Sequence, residues 1–123
     1  MTKKNLDSYL IFLDAKNKIL HTDLTPKEII LLDNIYCELS KFNGSNLNVK
    51  HIISKSNLGS PATLHKNLHN LVKANYIKLE CYIVDMRVKH ITLTNLSRRR
   101  LQQLENALCT AVLSKTLKKP KQP

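Results

Sequence analysis

Ser60-Pro61-Ala62-Thr63-Leu64-His65-Lys66-Asn67-Leu68-His69-Asn70-Leu71-Val72-Lys73-Ala74-Asn75 decides how the rest of this chain is read. Ser60 suits a helix N-cap, because its hydroxyl accepts from a free backbone N–H of the first turn. Pro61 suits the first helical position, where a missing N–H costs nothing. Leu64, Leu68, Leu71 and Val72 recur at helical spacing and form an inner stripe. Thr63, Lys66, Asn67, Asn70 and Lys73 fall on the opposite arc, with no carboxylate in the stretch. Asn75 can close the helix in the left-handed conformation. Donors near the N-terminus and lysines outside are what a helix lying in a DNA major groove needs. A plain surface helix of a basic protein has the same composition, so the neighbouring segments must decide.

Upstream, Asn48 caps a short helix, with Val49, Ile52 and Ile53 inward and its end near Lys55. Leu47 just before it suits a short strand. Ser56-Asn57-Leu58-Gly59 then makes a tight turn into the Ser60 helix. The pair is a helix-turn-helix. Downstream, the segment from Tyr76 to Ile83 alternates with period two. Ile77, Leu79, Cys81 and Ile83 lie on one face, and Lys78, Glu80 and Tyr82 on the other. That is a half-buried strand. Val84-Asp85-Met86-Arg87 reads as a hairpin tip. A second strand returns from Val88 to Leu93, with Ile91 and Leu93 inward and Lys89 and Thr92 outward.

Nearer the N-terminus, Thr25-Pro26-Lys27-Glu28 is a capping box with proline at the first helical position. Ile29, Leu32, Ile35, Tyr36 and Leu39 follow at core spacing, and Glu28, Asp33 and Glu38 give this helix an acidic outer face. Lys41-Phe42-Asn43-Gly44-Ser45-Asn46 reads as a loop. A first helix spans about 5–20, with Leu6, Tyr9, Leu10 and Leu13 on one face. Thr94 caps a last helix over 95–117, striped by Leu101, Leu104, Leu108 and Val112. Arg98, Arg99 and Arg100 crowd its first turns beside Ser97. Arginines there oppose the helix dipole, which a phosphate or carboxylate partner would offset and solvent would tolerate. Residues 118–123 are a basic, proline-containing tail expected to be disordered.

The sequence has 123 residues, 42% of them apolar and 5% aromatic, and only two glycines. This is one mainly helical domain with a core of leucine and isoleucine. No apolar run approaches the ~18 residues of a membrane span, and the N-terminus lacks a signal-peptide pattern. The expected location is the cytoplasm. The net charge of +11 implies attraction to polyanions, nucleic acid first among them. Cys37, Cys81 and Cys109 form no C-x-x-C pair, and each falls in an apolar pattern, as small core residues do. His65 and His69 stand at metal-binding spacing, but no carboxylate or cysteine lies near them, so no metal is expected. There is no glycine-rich phosphate loop, no paired-carboxylate pattern and no nucleophile motif. The expectation is a non-enzyme with no cofactor.

In order and spacing the chain resembles the MarR-type transcriptional regulators over residues 24–108, with the staphylococcal Sar-type regulators a close second. The resemblance rests on Leu24-Thr25-Pro26, on Ser60-Pro61-Ala62-Thr63-Leu64, on Asp85-Met86-Arg87 in the wing and on Leu93-Thr94 before the last helix. It implies a winged helix-turn-helix, α+β and mainly α with a small β-hairpin. It further implies one domain over 1–117, with residues 24–94 as the DNA-binding core and the helices over 5–20 and 95–117 as dimerisation elements. Ser60, Pro61, Ala62, Thr63, His65 and Lys66 would face the major groove, and Arg87 would enter the minor groove. Asn67, Asn70 and Lys89 complete the expected DNA-binding set, and Asp85 would hold the wing's shape by pairing with an arginine.

Several positions depart from the family pattern. Asn67 replaces an apolar residue, Asn75 replaces glycine, and Tyr82-Ile83-Val84 makes the wing apolar. The implied function is a dimeric, sequence-specific regulator of double-stranded DNA, a repressor, open to a small-molecule effector. The apolar wing equally suits a protein–protein or assembly module, and a DNA binder of replication or plasmid maintenance would share the same features.

Overall fold

The computed structural model describes residues 3–19, 24–41, 47–82 and 85–118. Their order is α1 (Lys3–Ile19), α2 (Pro26–Lys41), α3 (Val49–Lys55), α4 (Pro61–Lys73), β1 (Ile77–Tyr82), β2 (Asp85–Leu93) and α5 (Asn95–Lys118). Of the loop read over 41–46, Lys41 ends α2 instead, and of the tail read over 118–123, Lys118 ends α5; the remainder of both, and the apolar wing tip at 83–84, lie outside the described residues. The chain divides into two compact units, Asp23–Ser97 and, from the two ends, Met1–Thr22 with Arg98–Pro123.

The central unit is built on short-range signals that its sequence carries. The Thr25 N–H donates to Glu28 Oε1 at 2.9 Å, and the Glu28 N–H donates to Thr25 Oγ1 at 3.2 Å. This reciprocal capping box starts α2. Asn48 Oδ1 accepts from the His51 N–H at 2.8 Å and starts α3. Ser60 Oγ accepts from the Thr63 N–H at 3.3 Å and starts α4, with Pro61 in the first turn. Asn75 has φ 68°. The Tyr76 N–H reaches the Leu71 carbonyl at 3.0 Å and the Asn75 N–H reaches Val72 at 2.9 Å, the Schellman pattern that ends α4.

The core of this unit gathers Leu31, Leu32, Ile35 and Leu39 of α2, Ile52 of α3, Leu64, Leu68 and Leu71 of α4, and Ile77 and Ile91 of the hairpin. All are buried. Burying side chains of this size stabilises by roughly 1.5–3 kcal/mol each before chain entropy is counted. A buried polar relay secures the entry into α5. Thr94 Oγ1 accepts from the Ser97 N–H at 3.2 Å. Ser97 Oγ donates to the Tyr76 carbonyl at 2.6 Å, which leaves it to accept from Tyr36 OH at 3.1 Å.

The strands pair antiparallel, Ile77 with Leu93, Leu79 with Ile91 and Cys81 with Lys89. Leu47 and Asn48 act as a third-strand stub. Asn48 bridges His90, and the Ile91 N–H donates to the Leu47 carbonyl at 2.8 Å. Beyond Cys81 the register shifts, and Tyr82 pairs with Asp85. The tip expected over 84–87 is therefore corrected. β2 begins at Asp85, and residues 86–88 are extra to the ladder, a bulge-type irregularity after Cys81.

Lys89, expected outward, is exposed, although its pairing with Cys81 puts it on the strand face of Ile91 and Leu93. Cys37 and Cys109 are exposed rather than core residues, and Cys81 is half-buried. Cys37 lies seven residues after Ile30, which is itself 48% exposed, so both occupy the outer arc of α2. Arg100 is buried while Arg98 and Arg99 are exposed. In the terminal unit, Tyr9 and Leu10 of the α1 stripe and Leu108 and Val112 of the α5 stripe are exposed, as is Leu113, while Leu13, Leu101 and Leu104 are half-buried.

Candidate nucleic-acid interface

α4 is held from inside by Leu64, Leu68 and Leu71, so its opposite side is left outward. Ser60, Pro61, Ala62, His65, Lys66 and His69 are exposed, and Thr63 is half-buried with its hydroxyl 3.1 Å from Ser60 Oγ. Gly59, at φ +142°, makes the approach to this helix; a Cβ there would stand 3.2 Å from Thr63 Cγ2. The turn thus favours a residue without a side chain beside Thr63.

Two residues expected on the outward arc are not there. Asn67 is 8% exposed and its Nδ2 is buried without a hydrogen-bond partner. It stands three residues after Leu64 and four before Leu71, which is the inner arc. Asn70 is half-buried, and its Nδ2 donates to Glu28 Oε2 at 2.7 Å. Glu28, expected on an acidic outer face, is 6% exposed. One of its oxygens holds the start of α2 and the other holds α4, so it ties the two helices directionally across the apolar core.

Glu38 plays a similar part between α2 and α3. Its Oε1 meets His51 Nε2 at 2.8 Å, and its Oε2 accepts from Lys41 Nζ at 3.1 Å. The hydrogen bond from His51, then that from Lys41, hold its carboxyl below the usual glutamate range. This acid is thus engaged by α2 and α3 within the unit.

The wing supplies Arg87 and Lys89, both exposed. The side chain of Asp85 lies outside the described residues, as does that of Tyr82, and Asp85 is placed only as the backbone partner of Tyr82. Between α3, α4 and β2 lies an open cleft of about 410 Å³. His65, Arg87 and Lys89 line it together with Lys50, which sequence reading passed over. Lys50 belongs to the outer face of a short helix, and the pairing of Leu47 and Asn48 with β2 brings that helix beside the wing. Charge order along the chain carried no signal of it.

Among the described residues, no three His, Cys, Asp or Glu side chains gather as metal ligands, and no helix is long and apolar enough to cross a membrane. His65 and His69 are both exposed on α4.

No protein-family model matches the sequence, and no curated protein matches it as a relative. Solved structures do share its architecture. The YusO protein from Bacillus subtilis is 19% identical, with 90% of this chain and 71% of that one covered at a TM-score of 0.57. The heme sensor protein PefR from Streptococcus agalactiae, solved with heme, is 19% identical, with 89% and 71% covered at 0.57. A protein from Bacillus cereus described as a MarR-like transcription regulator is 14% identical, with 89% and 75% covered at 0.53. At these identities the likeness is one of fold. Five helices with an antiparallel two-stranded wing after the helix-turn-helix give this chain the winged-helix fold of MarR-type regulators.

Proposed function

We propose that this protein is a sequence-specific regulator that binds double-stranded DNA, and not an enzyme. One observation carries the reading. The outward side of α4, with Ser60, Pro61, Ala62, Thr63, His65 and Lys66, is free of carboxylate, and Arg87 and Lys89 stand on the adjoining wing. The net charge of +11 supplies the attraction to phosphate, and the α4 residues supply base reading. Arg87 enters the flanking minor groove, where the potential is most negative. Asn70 acts from behind, by tying α4 to Glu28, while Asn67 lies on the inner arc.

The protein works as a homodimer, joined through a second copy by the apolar side chains exposed on α1 and α5. Two copies of α4 then enter successive major grooves of a pseudo-palindrome. Occupancy of a promoter would block transcription, which makes repression the proposed outcome, and a small-molecule effector could relieve it.

The test is anisotropy binding to duplexes selected from random sequence, over a salt series. Lys66→Ala lowers the salt slope by about 1, Arg87→Ala weakens specific binding, and Thr63→Ala changes the preferred sequence. Unchanged affinity and preference in all three would overturn the reading.

A further inference from the structure

Ala62, Lys66, His69 and Lys73 recur at i, i+4, i+7 and i+11 and so form one line along α4, opposite Leu64, Leu68 and Leu71. All four are exposed. The helix holds no arginine and no carboxylate. Its two carboxamides are both withdrawn from this line. Asn67 is buried on the inner arc, and Asn70 is bound to Glu28. The hydroxyls of Ser60 and Thr63 stand 3.1 Å apart, and Ser60 Oγ also caps the helix. Along the outer line, the first turns of α4 therefore offer a methyl at Ala62 and an ammonium at Lys66.

These two groups select bases by their chemistry. A recognition helix reads base edges with its N-terminal residues, which are the residues that carry both groups. A methyl matches the C5-methyl of thymine, the one methyl that the major groove presents. An ammonium only donates, so it suits guanine, whose O6 and N7 both accept. Adenine sets an amino donor beside its N7 and is matched by an outward carboxamide, which this helix lacks. We propose that α4 reads a thymine methyl with Ala62 and a guanine with Lys66, within about three base pairs of one another, and leaves adenine unread. This names the bases for the DNA-binding reading above and rests on it.

The probe is a duplex selected from random sequence, bound by the full-length wild-type protein and followed by anisotropy. Each thymine is replaced in turn by uracil, which lacks the methyl. Each guanine and each adenine is replaced by its 7-deaza analogue, which lacks the N7 acceptor. At one thymine in each half-site, uracil should weaken binding about three- to fourfold, the worth of one methyl. At a nearby guanine, 7-deazaguanine should cost at least about fivefold, and no 7-deazaadenine more than about twofold. Ala62→Gly, an exposed change, should bind the thymine and uracil duplexes alike, and Lys66→Ala should do the same for guanine and its analogue. Uracil tolerated at every thymine, 7-deazaguanine tolerated at every guanine, or a 7-deazaadenine as costly as 7-deazaguanine would each overturn the proposal while the duplex still bound. A variant that kept its discrimination would overturn the role given to that residue. If random selection enriches no duplex, the DNA-binding reading itself fails and takes this proposal with it.

Discussion

Asn67→Leu should make this protein more stable and leave its DNA binding intact. The wild-type side chain is 8% exposed on the inner arc of α4, and its Nδ2 is buried with no acceptor. Such a donor costs ~1–3 kcal/mol, the desolvation that no hydrogen bond returns. Leucine keeps the branched heavy-atom skeleton of asparagine with bulkier methyl ends, so the site must repack slightly, and its neighbours at helical spacing are Leu64 and Leu71. A gain of ~1–2 kcal/mol is expected, worth roughly 4–10 °C in the unfolding midpoint of a small domain. Asn67→Asp should move the midpoint the other way, because it buries a carboxylate in the same place. Thermal and urea unfolding measure the stability, and anisotropy on a selected duplex measures the function. Affinity within about twofold of wild type is expected, since ~1.4 kcal/mol would be needed for a tenfold change. A destabilised Asn67→Leu protein, or a stable one that has lost specific binding, would refute the inward placement and return Asn67 to the reading face.

Three other outcomes follow from particular contacts. Glu28→Ala removes the side-chain half of the α2 capping box, the acceptor of the Thr25 N–H, and leaves Asn70 Nδ2 without its acceptor, so urea unfolding should show a loss of ~2–4 kcal/mol. Gly59→Ala should cost ~1–2 kcal/mol, because its φ of +142° is strained for alanine and the new Cβ crowds Thr63; the same unfolding assay reads it. Glu38 has its pKa lowered by folding, chiefly by His51, so its contribution is present above the unfolded glutamate value of about 4.3 and is lost as pH falls through the folded value. His51→Ala should raise the Glu38 pKa toward its ordinary range, read by NMR titration of the side-chain carboxyl carbon.

Local signals were legible to within a residue or two. Thr25, Asn48, Ser60 and Thr94 each cap the helix they announce, because a cap is decided by one side chain and the next three amides. Asn75 takes the left-handed position that its residue type tolerates. Misreadings arose where residue type and position disagreed. Asn67 is polar but sits at core spacing, and Arg100 sits three after the buried Ser97. Cys37 is apolar in character but shares the outer arc with Ile30. The wing's bulge was not legible, since period two cannot show where extra residues leave the ladder. Lys50 reaches the cleft through the pairing of Leu47 and Asn48 with β2, between segments some forty residues apart.

The most direct test of the DNA-binding claim is selection of sheared genomic fragments from the protein's own source, at rising salt, with the wild-type chain and with a Thr63→Ala, Lys66→Ala double variant. The account predicts that the wild type enriches fragments sharing one pseudo-palindromic sequence, that the enrichment persists as bulk binding falls away, and that the double variant loses it. Fragments recovered without a shared sequence, equally by both proteins and only at low salt, would mean that charge alone holds the DNA and would contradict the claim.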